Sequence, residues 1–402
     1  MNRKVLYITP SVEISFNDDN WFKNNESHGK EDESENIKEV AISNARSEAR
    51  KDVAKLLSHF KNVAVLTAAG TSMDNGVQGG KSRSGLWEFC KDDIDDIKSV
   101  LEHKGAFSEK FADEYNSQNI EHFLSLLLLY ESISEPIQDG KGNALVGELE
   151  GKIAKACDLK LDDANHHHAD FICKLTARKP SDPRLQLYTT NYDTLFEQAA
   201  QSRGFTIIDG FSFSYPRVFN GINFDRDIVY RDRTRITNEE SFVPNVFQLF
   251  KIHGSVDWEQ KDGKIYQTEN RSNPCIIYPA SNKYESSYEQ PYFEMMSNFQ
   301  KTLRKESTLL IVVGFGFADK HIQNVIKDAV AQNPNFHLLV VCYGKDDKGE
   351  DTGITNALVP DFYQECSELP SNVSVLFSTF KDFVELLPLN KSYSEDNQYE
   401  TV

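Results

Sequence analysis

Apolar residues in this chain recur as short continuous runs, and stretches of helical period lie between them. Residues 5–8 form a small apolar run that ends at Thr9 and Pro10, which predicts a short strand. Ile42, Ala45, Ala49, Val53, Leu56 and Leu57 fall on one face of a helix spanning roughly residues 37–60. The next run, 62–67 (NVAVLT), is apolar from Val63 to Leu66 and passes directly into small residues. Similar runs at 184–190, 246–252, 308–313, 336–342 and 372–377 predict further strands. Helical patterns follow at 194–203, 292–305, beyond Asp319 and from Phe380. Strands without polar alternation are buried on both faces, which is the mark of a parallel sheet covered by helices.

Two stretches break this rhythm. Residues 91–178 read as helical throughout, with Asn119 placed to cap a helix over 120–130 and further helical patterns near 144–156 and 166–175. Residues 17–36 are polar and acidic and read as a mobile linker, either a frayed terminus or an arm that packs on a neighbouring subunit. The predicted fold class is therefore α/β: a Rossmann-like parallel sheet with helices on both faces, a helical insertion and no zinc ribbon. Its divisions are 1–36 for the N-terminal strand and acidic arm, 37–90 with 179–390 for a discontinuous nucleotide-binding unit, 91–178 for the insertion, and 391–402 for a polar tail.

Charge narrows the function. The 402 residues carry 44 Lys and Arg against 62 Asp and Glu, a formal net charge of −18. So acidic a body repels phosphate backbones and anionic bilayers at long range, which argues against general nucleic-acid or membrane binding. No apolar run is long enough to span a bilayer. The six cysteines include no C-x-x-C pair, against a zinc ribbon or dithiol site and in favour of buried thiols in a reducing compartment. The expected location is the cytoplasm.

Ligands of open parallel sheets sit at the carboxyl ends of strands, where strand order reverses. Four loops fall there. Ala68-Ala69-Gly70-Thr71-Ser72 follows the 62–67 strand. Its small residues suit either a backbone that approaches a diphosphate through N–H groups or a turn that packs a helix on a strand. Asn191 and Asp193 follow the second strand and read as cleft residues or as helix N-caps. His253 precedes Gly254 and is suited to proton transfer near neutral pH or to a structural hydrogen bond, and Trp258 beyond it reads as a packing residue. Gly314-Phe315-Gly316 after the 308–313 strand admits a close ligand. His166-His167-His168 reads as a solvated helix face, since helical neighbours point apart and share a metal poorly. The arginines within 231–235 read as a solvated loop or a diphosphate or partner contact.

In this order the four loops resemble those of the sirtuin superfamily. The resemblance rests on Ala68–Ser72 against Gly-Ala-Gly-x-Ser, on Thr189-Thr190-Asn191-Tyr192-Asp193-Thr194-Leu195 against Thr-Gln-Asn-x-Asp-x-Leu, on His253-Gly254, and on Gly314. Departures are plain: the family's Gly-Ile-Pro-Asp-Phe-Arg loop falls on residues 76–81 with its Pro, Asp and Phe lost and Lys81 in place of its Arg, and the four zinc cysteines are missing. Segment 314–322 is similar to one found in sirtuin-like NAD hydrolases of bacterial anti-phage defence. That branch implies NAD as substrate, no metal, cleavage to ADP-ribose and nicotinamide, homo-oligomers, and a HerA-type hexameric ATPase as partner. It implies Asn191 and His253 as catalytic residues and Ala68, Ala69, Gly70, Thr71, Ser72, Asp193, Gly314 and Phe315 around the nucleotide. A non-catalytic NAD or ADP-ribose sensor and a protein deacylase are the alternatives.

Overall fold

The structure, a computed structural model, describes residues 4–28, 37–73, 83–139, 142, 144–162, 166–179, 182–230, 242–269, 275–276, 290–317, 319–342 and 369–389. The stretch aligned on the lost Pro-Asp-Phe-Arg loop (76–81), the arginines of 231–235 and the tail 391–402 lie outside the described residues. In chain order the strands are β1 (Lys4–Ile8), β2 (Glu13–Phe16), β3 (Trp21–Lys23), β4 (Glu26–His28), β5 (Asn62–Thr67), β6 (Gln186–Thr189), β7 (Thr206–Ile208), β8 (Val246–Lys251), β9 (Trp258–Lys261), β10 (Lys264–Gln267), β11 (Thr308–Val313), β12 (Phe336–Cys342) and β13 (Val373–Phe377). The helices are α1 (Ile37–His59), α2 (Ala69–Ser72), α3 (Arg83–Phe89), α4 (Lys91–His103), α5 (Glu109–Ser117), α6 (Ile120–Ile133), α7 (Leu145–Cys157), α8 (His167–Thr176), α9 (Leu195–Ser202), α10 (Tyr292–Leu303), α11 (Lys320–Gln332) and α12 (Phe380–Leu386).

Eleven strands form one sheet in the order β4-β3-β2-β1-β13-β12-β11-β5-β6-β8-β7. From β13 to β7 every pairing is parallel. The apolar runs behave as their lack of alternation requires. In β5, Val63 and Val65 enter one core layer while Ala64 and Leu66 enter the other. In β11, Leu309, Ile311 and Val313 separate from Leu310 and Val312 in the same way. Helices α1, α8, α9 and α12 cover the first face, and α10 and α11 cover the second.

The N-terminal acidic stretch is partly sheet. β2, β3 and β4 extend the sheet antiparallel beyond β1, so residues 17–28 are not the mobile arm that their composition suggests. Asn24 and Asn25 both take left-handed φ values, 50° and 68°, and close a two-residue hairpin between β3 and β4. Asparagine is among the few residues that tolerate such a turn. Ile14 and Phe22 are buried, and Lys23 pairs with Glu48 of α1 at 2.6 Å, which fastens the extension to the body.

Helices α3 to α7 enclose a separate apolar cluster running from Leu86 to Ile153, with Trp87 and Phe123 at its centre. Helix α8 packs elsewhere: Phe171, Ile172 and Leu175 belong to the core of the sheet. His168 lies on that buried face, fully enclosed between the rings of Phe196 and Phe380 at 4.9 and 5.0 Å, and neither ring nitrogen has a hydrogen-bond partner. The solvated-face reading of the triple histidine thus holds for exposed His166 and fails for His168, because helical spacing puts 168 in register with 171, 172 and 175.

Burial pushes the His168 imidazole down to about 3 from its ordinary 6.5. The unfolded chain can take up that proton below pH 6.5 and the folded chain cannot. Stability is therefore intact above pH 6.5 and falls as the solution is acidified towards 3. Between pH 6.5 and 5 the expected loss from this residue is about 2 kcal/mol. Urea denaturation at both pH values should show the loss, and His168→Phe should remove most of it.

Candidate functional site

The strand order β11-β5-β6-β8 puts the four loops of interest side by side at one end of the sheet. Backbone bonds continue past the strand ends: Ala68 N–H donates to the Val313 carbonyl at 3.2 Å, Thr190 N–H to Thr67 at 3.0 Å, and Ile252 N–H to Thr189 at 2.9 Å. After β5 the chain reaches β6 on one side, while β11 lies on the other. The junction of β5 and β11 is therefore where the topology switches.

At that junction Gly70 and Gly314 touch through their backbones. A Cβ on Gly70 would lie 2.5 Å from Gly314 Cα, one on Gly314 would lie 2.6 Å from Gly70 Cα, and Gly314 has φ +64°. Only a glycine pair fits. Gly70 N–H donates to the Gly314 carbonyl at 3.1 Å and Thr71 N–H to Ala68 at 2.9 Å. The N–H groups of Ala68, Gly70 and Thr71 are thus committed within the protein, because the loop closes into the single turn of α2. Of the two readings of this loop, the packing turn is present in the contacts.

Asn191 sits over that turn, 8% exposed. Its Nδ2 donates to Ala68 O at 3.1 Å, Thr71 Oγ1 at 3.1 Å and Ser72 Oγ at 2.8 Å. Ser72 Oγ in turn donates to Asp193 Oδ2 at 2.6 Å, while Asp193 Oδ1 accepts the Leu195 N–H at 3.1 Å at the start of α9. Asp193 therefore ties the loop after β5 to the first N–H of α9 through its two oxygens. The four residues Thr71, Ser72, Asn191 and Asp193 form one buried network joining the β5 and β6 loops.

The β8 loop adjoins it. Val256 N–H donates to the Tyr192 carbonyl at 3.0 Å, and Ser255 Oγ does so at 3.3 Å. His253 is 7% exposed, and its Nε2 lies 3.1 Å from Asp319 Oδ2. Gly254 has φ +86°, and a Cβ there would meet the Cys275 carbonyl at 2.3 Å, so the glycine after the histidine is a steric requirement. Asp319 Oδ1 accepts the N–H groups of His321 and Ile322 at 2.9 and 3.3 Å and caps α11. Burial works upward on this carboxyl, but the His253 bond and charge and the two backbone N–H groups outweigh it and hold it down at about 2.

Phe315, expected beside the nucleotide, is 5% exposed and packs on Phe317 with ring centroids 4.8 Å apart. Trp258 is buried against Phe211, a packing residue as foreseen. Three charged residues at the site escaped the sequence reading. Asp319 is one. The others are Lys251, whose side chain is 3% exposed, and Glu197, at 3.0 Å from the Lys251 ammonium. Lys251 also donates to the Asp193 carbonyl. The signal that the sequence offered for it is a lysine at the end of a mostly apolar strand. Among the described residues no group of three or more His, Cys, Asp or Glu side chains could hold a metal, and no helix is long and apolar enough to cross a membrane.

No curated protein matches this sequence. Among solved structures, a phenylalanine-to-alanine mutant of a Sir2 homologue in complex with ADP-ribose is similar at 12% identity, covering 84% of this chain and 94% of its own, with a TM-score of 0.40. Sir2 bound to an acetylated peptide is similar at 12% identity, covering 83% and 95%, with a TM-score of 0.37. Backbones related at this level diverge widely, and the site stands on the contacts described above. Residues 186–357, which hold Asn191, Asp193, His253, Gly314 and Asp319, match the family model described as the SIR2-like domain, and it is to this domain that the chain is similar.

Proposed function

We propose that the chain is an NAD+ glycohydrolase that uses water to split the nicotinamide–ribose bond, releasing ADP-ribose, nicotinamide and a proton. The observation that carries this reading is the placement of Asn191 and His253 on loops of the neighbouring strands β6 and β8, beside the Gly70–Gly314 switch point. Cleaving an N-glycosidic bond passes through an oxocarbenium-like state, which needs a positioned water, a base, and negative or polar groups near the sugar. Asn191 spends Nδ2 on the α2 turn, which leaves its carbonyl oxygen to orient the water or a ribose hydroxyl. His253 takes the proton. Asp193 supports the cationic sugar through the loop it braces. Residues Ala68–Ser72, Gly314 and Phe315 surround the rest of the nucleotide.

On this reading the NAD-binding unit is discontinuous, 37–90 with 179–390, and 91–178 is the insertion. Its role is to deplete NAD in an infected bacterial cytoplasm, as a homo-oligomer paired with a HerA-type hexameric ATPase. The resemblance of the four loops to the sirtuin superfamily and of 314–322 to that defence branch supports this wider role.

Chromatography of NAD products tests the reaction. The purified chain, alone and with the product of its neighbouring gene, should yield ADP-ribose and nicotinamide with or without an acetyl-lysine peptide. Acetyl-ADP-ribose formed only with the peptide marks a deacylase. Saturable NAD binding with no products under either condition marks a sensor. Either outcome overturns the hydrolase.

A further inference from the structure

We propose that Asp319 is the positioning residue for His253, taking the Nε2–H of the imidazole so that the lone pair that accepts the proton sits on Nδ1. The inference rests on the hydrolase reading for its catalytic part and on geometry for the rest. Asp319 belongs to the loop after β11, while His253 belongs to the loop after β8. Three strand spacings separate those strands, about 14 Å. The contact between the carboxylate and the imidazole therefore crosses the mouths of β5 and β6.

The crossing has a conformational cost. Phe317 takes φ +52°, a left-handed value that aromatic residues seldom adopt. Such strain persists only where both ends are fixed. Here the start is fixed by the Gly314–Gly70 contact and the end by Asp319 itself.

A helix cap alone does not explain this residue. Capping uses one oxygen, and serine, threonine or asparagine supplies it equally well. Asp319 divides its two oxygens: Oδ1 receives the two backbone N–H groups of α11, and Oδ2 faces the histidine. A buried carboxylate is justified by that second bond. The hydrogen bond made by one ring nitrogen decides which tautomer the other presents.

The division of labour makes Asp319→Asn informative. The two backbone N–H groups require an acceptor, so the amide oxygen stays at the cap. The amide NH2 then faces His253 and donates to Nε2, which moves the ring proton to Nδ1. In another hydrolase the same kind of exchange beside a catalytic histidine costs about 10⁴ in kcat with the geometry intact.

The experiment uses the whole chain with 15N-labelled histidine, with the His253 signals assigned by their loss in His253→Gln. The wild-type neutral ring should carry its proton on Nε2, and Asp319→Asn should carry it on Nδ1. NAD hydrolysis by Asp319→Asn should fall roughly 10²–10⁴-fold in kcat with KM within about threefold of wild type. Asp319→Ser, which still caps α11, should lose turnover as well. A wild-type proton on Nδ1, or an unchanged tautomer in Asp319→Asn, overturns the proposal. Should the wild type consume no NAD, the hydrolase reading falls, and the spectra alone decide whether Asp319 sets the tautomer.

Discussion

His253→Gln should lower the rate of NAD consumption by roughly 10²–10⁴-fold, the range that general acid–base groups contribute, and should leave the melting temperature nearly unchanged. Glutamine keeps an N–H donor within reach of Asp319, so the buried carboxylate is not orphaned, but it cannot take up a proton. Asn191→Ala should lose turnover to a similar degree and should also destabilise. Its Nδ2 serves Ala68 O, Thr71 Oγ1 and Ser72 Oγ, and all three lie in the buried network. Ala68 O keeps the Thr71 N–H, so the loss falls on the two hydroxyl oxygens, and leaving such buried acceptors without a donor costs about 1–3 kcal/mol. The two variants thus separate chemistry from architecture: equal losses in rate, unequal losses in stability. A rate assay beside a thermal melt reads both. Turnover near the wild-type level in His253→Gln removes the imidazole from the reaction.

The strands of the parallel sheet were legible because nothing in them alternates. A run such as TLLIVV has only one reading when both faces of a sheet are covered. The hairpin of β3 and β4 was not, since its strands are three residues each and its turn is a pair of asparagines inside a polar stretch. Polar composition hid a turn whose chemistry is polar by necessity. The catalytic candidates were legible by position, at the ends of apolar runs. Their partners were not. Asp319 before a helix reads as a cap, and it is one. Only the fold brings its second oxygen to a histidine sixty-six residues away in sequence. The same holds for Asp193, whose two oxygens join the β5 loop to the start of α9, a link that only the fold brings about. His168 was misjudged because three adjacent histidines suggest a surface, whereas a helix assigns each of them a different environment.

Lys251→Met should destabilise the protein by about 3–5 kcal/mol, as expected when one member of a buried ion pair is removed. The side chain is 3% exposed, and its ammonium donates to the Asp193 carbonyl and to Glu197 Oε1, the latter at 3.0 Å. Burial pushes that ammonium down, but the carboxylates of Glu197, Asp257 and Asp193 outweigh it, so the group is held above its ordinary value and stays charged at neutral pH. Burial in turn lifts Glu197 to about 7 in spite of Lys251. Without the lysine, Glu197 is left as a half-buried acid with no cation beside it, and the main chain at Asp193 loses the donor that fixes the loop carrying Asn191. Stability and turnover should therefore fall together. The double variant Lys251→Met/Glu197→Gln leaves neither ionisable member of the pair and should regain part of the stability, because removing a whole pair costs less than removing one partner. It should not regain turnover, since the Asp193 carbonyl still lacks its donor. Urea midpoints for the wild type, the two single variants and the double variant give the coupling, and NAD assays on the same four proteins give the rates. Full recovery of turnover in the double variant would show that Lys251 serves only to neutralise Glu197 and that the Asn191 loop holds its place without it.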